Sequence, residues 1–318
     1  MIKEKLKSTR DGFGEGLIEI SGKNPNVVVL TADLKDSTRV FSFANKFPDR
    51  FIDVGVAEQA LVTIASGMAN YGKIPVVTSF AVFVPGRCLE QIRTTIAMNN
   101  LPVVIVGSHT GFSAGADGAT HQALEDISLM RTLPNMTVIT PCDYIEAKKA
   151  IVEAVGLGGP VYLRVERDPT PIITQENSKF KIGRIDILNE PKDPRVAIIA
   201  TGPILSAAVL AAKKLDKIGI SALVLNCHTV KPLDTQTIIH AAKITGAVVT
   251  VEVHQKAGGL GSVVSEVLSQ NFAVPIEMVG VNDSFGGSGK PNELLKKFGI
   301  TTEGVLETAK KVIRRKLN

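Results

Sequence analysis

Short β-branched runs, each bounded by turn residues and followed by a segment of helical spacing, recur from one end of the chain to the other. No other feature restricts the fold so tightly. The runs are VVVL at 27–30, IPVVTSF at 74–80, LPVVIVG at 101–107, MTVIT at 136–140 and GPVYLRV at 159–165. They are apolar on both faces, as strands inside a parallel sheet must be. The spacing predicts helices over 10–22, from Glu58 onward, over 86–99, over 122–131 and over 143–155. Asp143 and Glu146 stand at capping-box separation, which marks the last of these starts. Strands alternating with helices make a doubly wound α/β domain over residues 1–168.

Residues 169–194 break the alternation with prolines and scattered charges and read as a linker, with KIGRIDIL as an edge strand. A second α/β series then runs over residues 195–318: RVAIIAT, ISALVLN, GAVVTVE and PIEMVGV. Helices are expected over 203–217, after Asp234, after Gly261 and twice near the end.

Composition narrows the function classes. Hydrophobic residues make up 44% of the 318, with no Trp, so the cores are built from Val, Ile, Leu and Ala. A net charge of +5 invites a nucleic-acid reading. The basic residues, however, are dispersed among acidic ones. Their densest cluster, Lys310, Lys311, Arg314, Arg315 and Lys316, closes a C-terminal helix whose dipole favours cations. Without a basic stripe and interleaved aromatics, nucleic acid is not an expected partner. Cys88, Cys142 and Cys227 lie far apart and read as reduced thiols of a cytoplasmic protein. The N-terminus lacks the apolar core of a signal peptide, and no apolar run reaches the ~18 residues of a membrane span.

Several motifs carry chemistry, each with a plainer reading beside it. In DVGVAEQALVTIASGM, residues 53–68, Glu58 opens a helix, where the dipole alone stabilises an acid. Yet Ala57, Ala60, Leu61, Ile64 and Ala65 read as an interior helix, and a carboxylate entering an interior needs a partner. GFGEGL at 12–17 lacks the preceding strand of a dinucleotide site. GGLGS at 258–262 follows a strand and opens a helix, so its amides suit either an anion or, more simply, a tight turn with close packing. The chain has no GxxxxGK[ST], HExxH or GxSxG. The loop GSHTGFSAGADGATHQALED, residues 107–126, leaves the carboxyl end of a strand, where α/β sheets hold ligands. Its small residues admit a ligand closely, and His109, Asp117 and His121 add titratable groups, so a site is expected there. Phe80 and Phe83 in FAVF are either core or a face for a flat heterocycle.

GVAEQ around Glu58, TSFAVF, and DGATHQALED followed by LPNMTVITPCD together resemble the C-terminal half of transketolase, the thiamine-diphosphate enzyme. The resemblance extends over nearly the whole chain. The diphosphate-binding GDG signature with its downstream Asn is missing. That implies a separate N-terminal partner subunit carrying GDG and most of the Mg²⁺ or Ca²⁺ contacts. It further implies self-association into a dimer within a heterotetramer, and two-carbon ketol transfer between sugar phosphates of the pentose phosphate pathway.

In related enzymes the glutamate matching Glu58 exchanges a proton with the aminopyrimidine ring of the cofactor. Phe83 matches the residue stacked on that ring, with Phe80 beside it and Asp33 near the cofactor pocket. Arg10, Ser37, His109 and Arg167 match positions that hold the phosphate or distal hydroxyls. Asp117 and His121 match residues near the reacting hydroxyls, with His121 suited to proton transfer. One departure stands out: some full-length relatives place a tyrosine shortly after the second Phe, where VPGR stands here. The corresponding half of 1-deoxy-xylulose-5-phosphate synthase and the beta subunits of 2-oxoacid dehydrogenases share parts of the pattern. The reading outside enzymology is a non-catalytic assembly module on the same fold.

Overall fold

Burying β-branched side chains on both faces requires a sheet with helices above and below, and two such sheets form. The computed structural model describes residues 6–316. The first sheet has seven strands in the order Thr229–Lys231, Thr137–Ile139, Val161–Arg164, Val104–Ser108, Ile74–Phe80, Val27–Thr31 and Phe51–Asp53. Neighbours are parallel except Thr229–Lys231, which runs antiparallel to Thr137–Ile139. Val29, Leu30, Val76, Val77, Val104, Ile105, Val161 and Leu163 are buried in its centre. Each such side chain contributes about 1.5–3 kcal/mol of burial.

The second sheet has five strands in the order Ile276–Val281, Val248–Gln255, Val196–Ala200, Ala222–Asn226 and Asp186–Asn189. Asp186–Asn189 lies at its edge, antiparallel to Ala222–Asn226. Helices Leu205–Asp216, Thr235–Thr245, Leu260–Asn271 and Thr302–Lys316 accompany it.

The N-terminal helix spans Thr9–Lys23, with the Ser8 hydroxyl accepting the Asp11 amide as its cap. Its GFGEGL glycines are packing positions: a Cβ on Gly12 would lie 2.0 Å from the Tyr144 carbonyl oxygen, and one on Gly16 2.4 Å from that of Lys148. Only glycine lets this helix rest on the helix Tyr144–Gly156. That helix is capped as its spacing predicts, Asp143 accepting the Glu146 amide at 2.9 Å, while Glu146 reaches back to the Cys142 amide.

Four expectations change. The helix expected over 86–99 is broken into Val84–Arg87, Leu89–Gln91 and a wider π-helical turn, Ile92–Ala97. The helix expected over 122–131 covers only Asp126–Arg131, because the Gln122 side chain bonds the Gly115 and Gly287 backbone instead. A short helix, Phe41–Lys46, and an edge strand, Phe51–Asp53, were not expected. The helix Glu58–Asn70 buries Leu61, Val62 and Ala65 but leaves Ala60 and Ile64 exposed, so it is not interior all round.

A buried ion pair joins the two sheets. Arg164 Nε donates to Asp126 Oδ2 at 2.8 Å, the Tyr162 hydroxyl donates to the same oxygen, and Arg164 Nη2 reaches the Val253 carbonyl oxygen. Arg164→Leu should cost about 3–5 kcal/mol, since it strands the Asp126 carboxylate out of water. Urea unfolding measures this, and a loss under about 1 kcal/mol would mean the pair behaves as a solvated one. Among the described residues, no helix is long and apolar enough to cross a membrane. Cys88, Cys142 and Cys227 are free and buried.

Candidate active site

The carboxyl ends of the parallel strands in the first sheet gather most of the residues singled out above. Phe80 ends one strand and Ser108 the next, so Phe83 and His109 follow directly on neighbouring strands. His109 takes a left-handed backbone, φ 59°, which turns the chain sharply out of its strand. Asp33 does the same at φ 58° after Val27–Thr31; its amide donates to Asp53 Oδ1 at 2.9 Å and its side chain is exposed.

An acid and a column of rings form one end of the site. Glu58 is 3% exposed, and Arg87 Nη1 donates to its Oε2 at 2.6 Å. The same guanidinium lies 4.7 Å from the centre of the Phe83 ring. Phe83 and Phe80 are nearly parallel at 5.9 Å and 15°. His121 meets Phe83 edge-on at 5.4 Å, and Phe80 lies 4.0 Å from the His109 ring. One planar, nitrogen-bearing group therefore rests on Phe83 while donating to Glu58. A flat heterocycle with a ring nitrogen has the same requirements, so these residues fit one.

The other end is a hollow of roughly 350 Å³ lined by Arg10, Asp36, Ser37, Arg39, Phe80, His109, Asp117 and Arg167. Arg10 Nη1 donates to the Ser37 carbonyl oxygen at 2.9 Å, and Arg39 Nε to Asp11 at 2.7 Å. Among the described residues, the Arg10 Nε is a buried donor without a partner. Burial, and then the charge of Arg39, lowers the Arg10 pKa from its ordinary value. Burial, followed by the charges of Arg10, Arg167 and Arg39, pushes His109 down to about 3. Three guanidiniums around a small hollow, with a neutral imidazole and hydroxyl-bearing Ser37 between them, suit a small anion with attached hydroxyls. Asp117 is exposed at the rim, and His121 is half-buried with its Nδ1 3.0 Å from the Thr120 hydroxyl.

The depressed His109 pKa has a consequence for stability. Its folded value, about 3, lies below the ordinary 6.5, so the unfolded chain binds the proton first. The contribution is fully present above pH 6.5 and is lost as pH falls from there toward 3. His109→Gln should flatten the acid limb of unfolding free energy across that window. Urea melts at several pH values test it; an unchanged slope would place the titration elsewhere.

The sequence reading missed Arg39, Asp36 and Arg87. Arg39 stands two residues after Ser37, and its left-handed φ of 63° is what bends it back to the hollow's lining. Arg87 belongs to VPGR, which stands out in the sequence only for its lack of a tyrosine. Its position, one helical turn after Phe83, was the available signal.

The GGLGS turn is not an open anion site. Leu260 and Gly261 donate their amides to the chain's own Glu252 at 2.7 and 2.8 Å. A Cβ on Gly259 would fall 2.0 Å from Glu252 Oε2, which is the close packing the tight-turn reading expects.

Comparison with known proteins places these features in context. Residues 5–171 match the transketolase pyrimidine-binding domain, and residues 183–305 match the transketolase C-terminal domain. The 6-deoxy-6-sulfo-D-fructose transketolase subunit SqwH of Clostridium sp. (strain MSTE9) is 41% identical, covering 96% of this chain and 95% of its own. A protein of Methanocaldococcus jannaschii, described as a transketolase C-terminal section, is 44% identical over 94% of each chain. Among solved structures, a split-gene transketolase described as an inactive beta4 tetramer superposes with a TM-score of 0.91. It is 42% identical, covering 97% of this chain and 99% of that one.

Proposed function

The chain belongs to the transketolase family, and from that premise we propose that it is the C-terminal subunit of a split transketolase, active with an N-terminal partner subunit. The supporting observation is Phe80, which borders both the arginine hollow and the rings leading to Glu58. A substrate with its anionic end in the hollow would thus reach toward a heterocycle at Glu58 and Phe83.

Thiamine diphosphate, when bound, supplies the electron sink for breaking a carbon–carbon bond beside a carbonyl. Glu58 and Phe83 would hold its aminopyrimidine, Glu58 exchanging a proton at a ring nitrogen and Phe83 offering a flat face. Phe80 backs that face, and Asp33, just past the strand Val27–Thr31, would border the cofactor. Arg87 must then give up its bond to Glu58, which costs little because its side chain is half in water. Arg10 and Arg167, joined by Arg39, would hold the anionic end, with Ser37 and His109 on the nearest hydroxyls. A neutral His109 can donate and accept at once. Asp117 and His121 would face the reacting hydroxyls, His121 taking or returning their proton.

The division proposed is a pyrimidine-binding domain over 1–168, a linker over 169–194 and a C-terminal domain over 195–318. The partner would carry the GDG signature and most contacts to Mg²⁺ or Ca²⁺, in a two-plus-two heterotetramer working in the cytoplasm on the pentose phosphate pathway. Exposed Val56, Ile64, Tyr71 and Met98 support burial against further subunits. The name of the Clostridium relative adds a second anion to consider, a sulfonate, which three guanidiniums suit as well as a phosphate.

The test mixes the purified chain with a GDG-bearing partner, thiamine diphosphate and Mg²⁺. Ketol transfer to ribose 5-phosphate is followed from xylulose 5-phosphate and, separately, from 6-deoxy-6-sulfo-D-fructose. Transfer only in the mixture is expected. No transfer from either donor at saturating partner and cofactor would leave an assembly module.

A further inference from the structure

Away from the arginine hollow and the rings at Glu58, the seam between the two sheets holds a second constellation that none of the chemistry above uses. Glu146 comes from the helix Tyr144–Gly156, His228 from the turn ahead of Thr229–Lys231, and Asp186 from the edge strand Asp186–Asn189. One ligand atom from each lies within 4.8 Å of the other two. Glu146 and His228 are buried at 2% and 0% exposure, and Asp186 is half-exposed.

The surroundings hold these groups in place without completing their bonding. Glu146 Oε2 accepts the Cys142 amide at 2.6 Å, and its Oε1 accepts Asn226 Nδ2 at 2.7 Å. His228 Nδ1 lies 2.9 Å from the Thr229 hydroxyl, and Phe180 covers the imidazole at 4.4 Å. Of the buried polar atoms that find no partner among the described residues, two belong to this cluster: His228 Nε2 and Asn226 Oδ1. Asp186 Oδ2 stands 3.9 Å from that Nε2, beyond hydrogen-bond reach. A buried polar atom left unpaired costs about 1–3 kcal/mol, so a pair of them beside two carboxylates calls for something positive. Lys149, whose charge acts on Asp186, is already committed to Gln175 and Ser178.

We propose that Glu146, Asp186 and His228 form a site for a divalent transition-metal ion of the zinc type, which fastens the helix Tyr144–Gly156 to the second sheet. With Nδ1 donating to Thr229, Nε2 presents its lone pair, as a histidine ligand does. One imidazole and two carboxylates select zinc or its transition-metal neighbours over Mg²⁺ or Ca²⁺, which prefer all-oxygen shells. Tetrahedral bonds of about 2.0–2.2 Å bring ligand atoms closer together than they stand here. Asp186, on an edge strand and partly in water, is the ligand able to close that distance. Asn226 Oδ1 or solvent fills the remaining position. This inference is independent of the ketol-transfer reading.

The untagged chain, stripped with a chelator, is titrated with Zn²⁺ against a chromophoric competitor. One saturable equivalent per chain is expected, with a rise in melting temperature. Cobalt should give the intense visible bands of a tetrahedral site. His228→Gln and Asp186→Asn should each weaken binding by at least about tenfold and abolish the cobalt bands. Asp186→Asn changes a partly exposed side chain, so it remains decisive if His228→Gln does not fold. No saturable binding, or binding that both variants retain, overturns the proposal.

Discussion

Glu58→Ala should remove ketol transfer almost completely, by about 10³-fold or more in kcat, within the upper range that a positioned acid or base supplies. The fold should survive. Glu58 is buried, but its ion-pair partner Arg87 is half in water and can solvate itself once released, so the melting temperature should move little. Glu58→Gln is the sharper variant: it keeps the volume and still accepts a bond from Arg87, yet it cannot exchange a proton. If activity follows the proton, Gln is as damaging as Ala. If Glu58 only anchors Arg87, Gln restores the rate. Activity within about tenfold of wild type in the Gln variant would refute the acid's proposed role.

The second large effect should fall on substrate affinity. Arg167 is exposed at the rim of the hollow, so Arg167→Ala leaves the packing alone and removes one of three guanidiniums. A hydrogen bond to a charged group contributes about 1.5–3 kcal/mol, so KM for a phosphorylated donor should rise about 10- to 100-fold. Removing a contact made equally in the ground and transition states raises KM and leaves kcat nearly unchanged. An unphosphorylated donor serves as the control, since its kcat/KM should not respond. Equal losses on both donors would mean that Arg167 supports the site generally and does not hold the anion.

The legible parts of this molecule were those whose cause is local. IPVVTSF became the strand Ile74–Phe80, because a β-branched run between turn residues has few alternatives. The six residues of Phe41–Lys46 and three of Phe51–Asp53 span too little of either period to register. The helix expected over 122–131 lost its first turn to a side chain, Gln122, that bonds a segment more than 160 residues along the chain, at a separation of 165. No window of sequence contains that information. The hollow is partly legible for a different reason: the loop pattern points to His109 and Asp117, the resemblance adds Arg10, Ser37 and Arg167, and all five line it. Arg39 belongs to no motif, and only the left-handed turn that carries it reveals what it faces, whereas Arg87 offers no more than its place one helical turn after Phe83.

The strand Thr229–Lys231 leaves the second series of elements and completes the far edge of the first sheet. A protease or an engineered stop between the two series would therefore do more than divide the protein. It would bare the Thr137–Ile139 backbone as a row of open amides and carbonyls, ready to recruit any extended peptide nearby. The N-terminal fragment expressed alone should clump, and a synthetic peptide spanning the lost segment should dissolve the clumps.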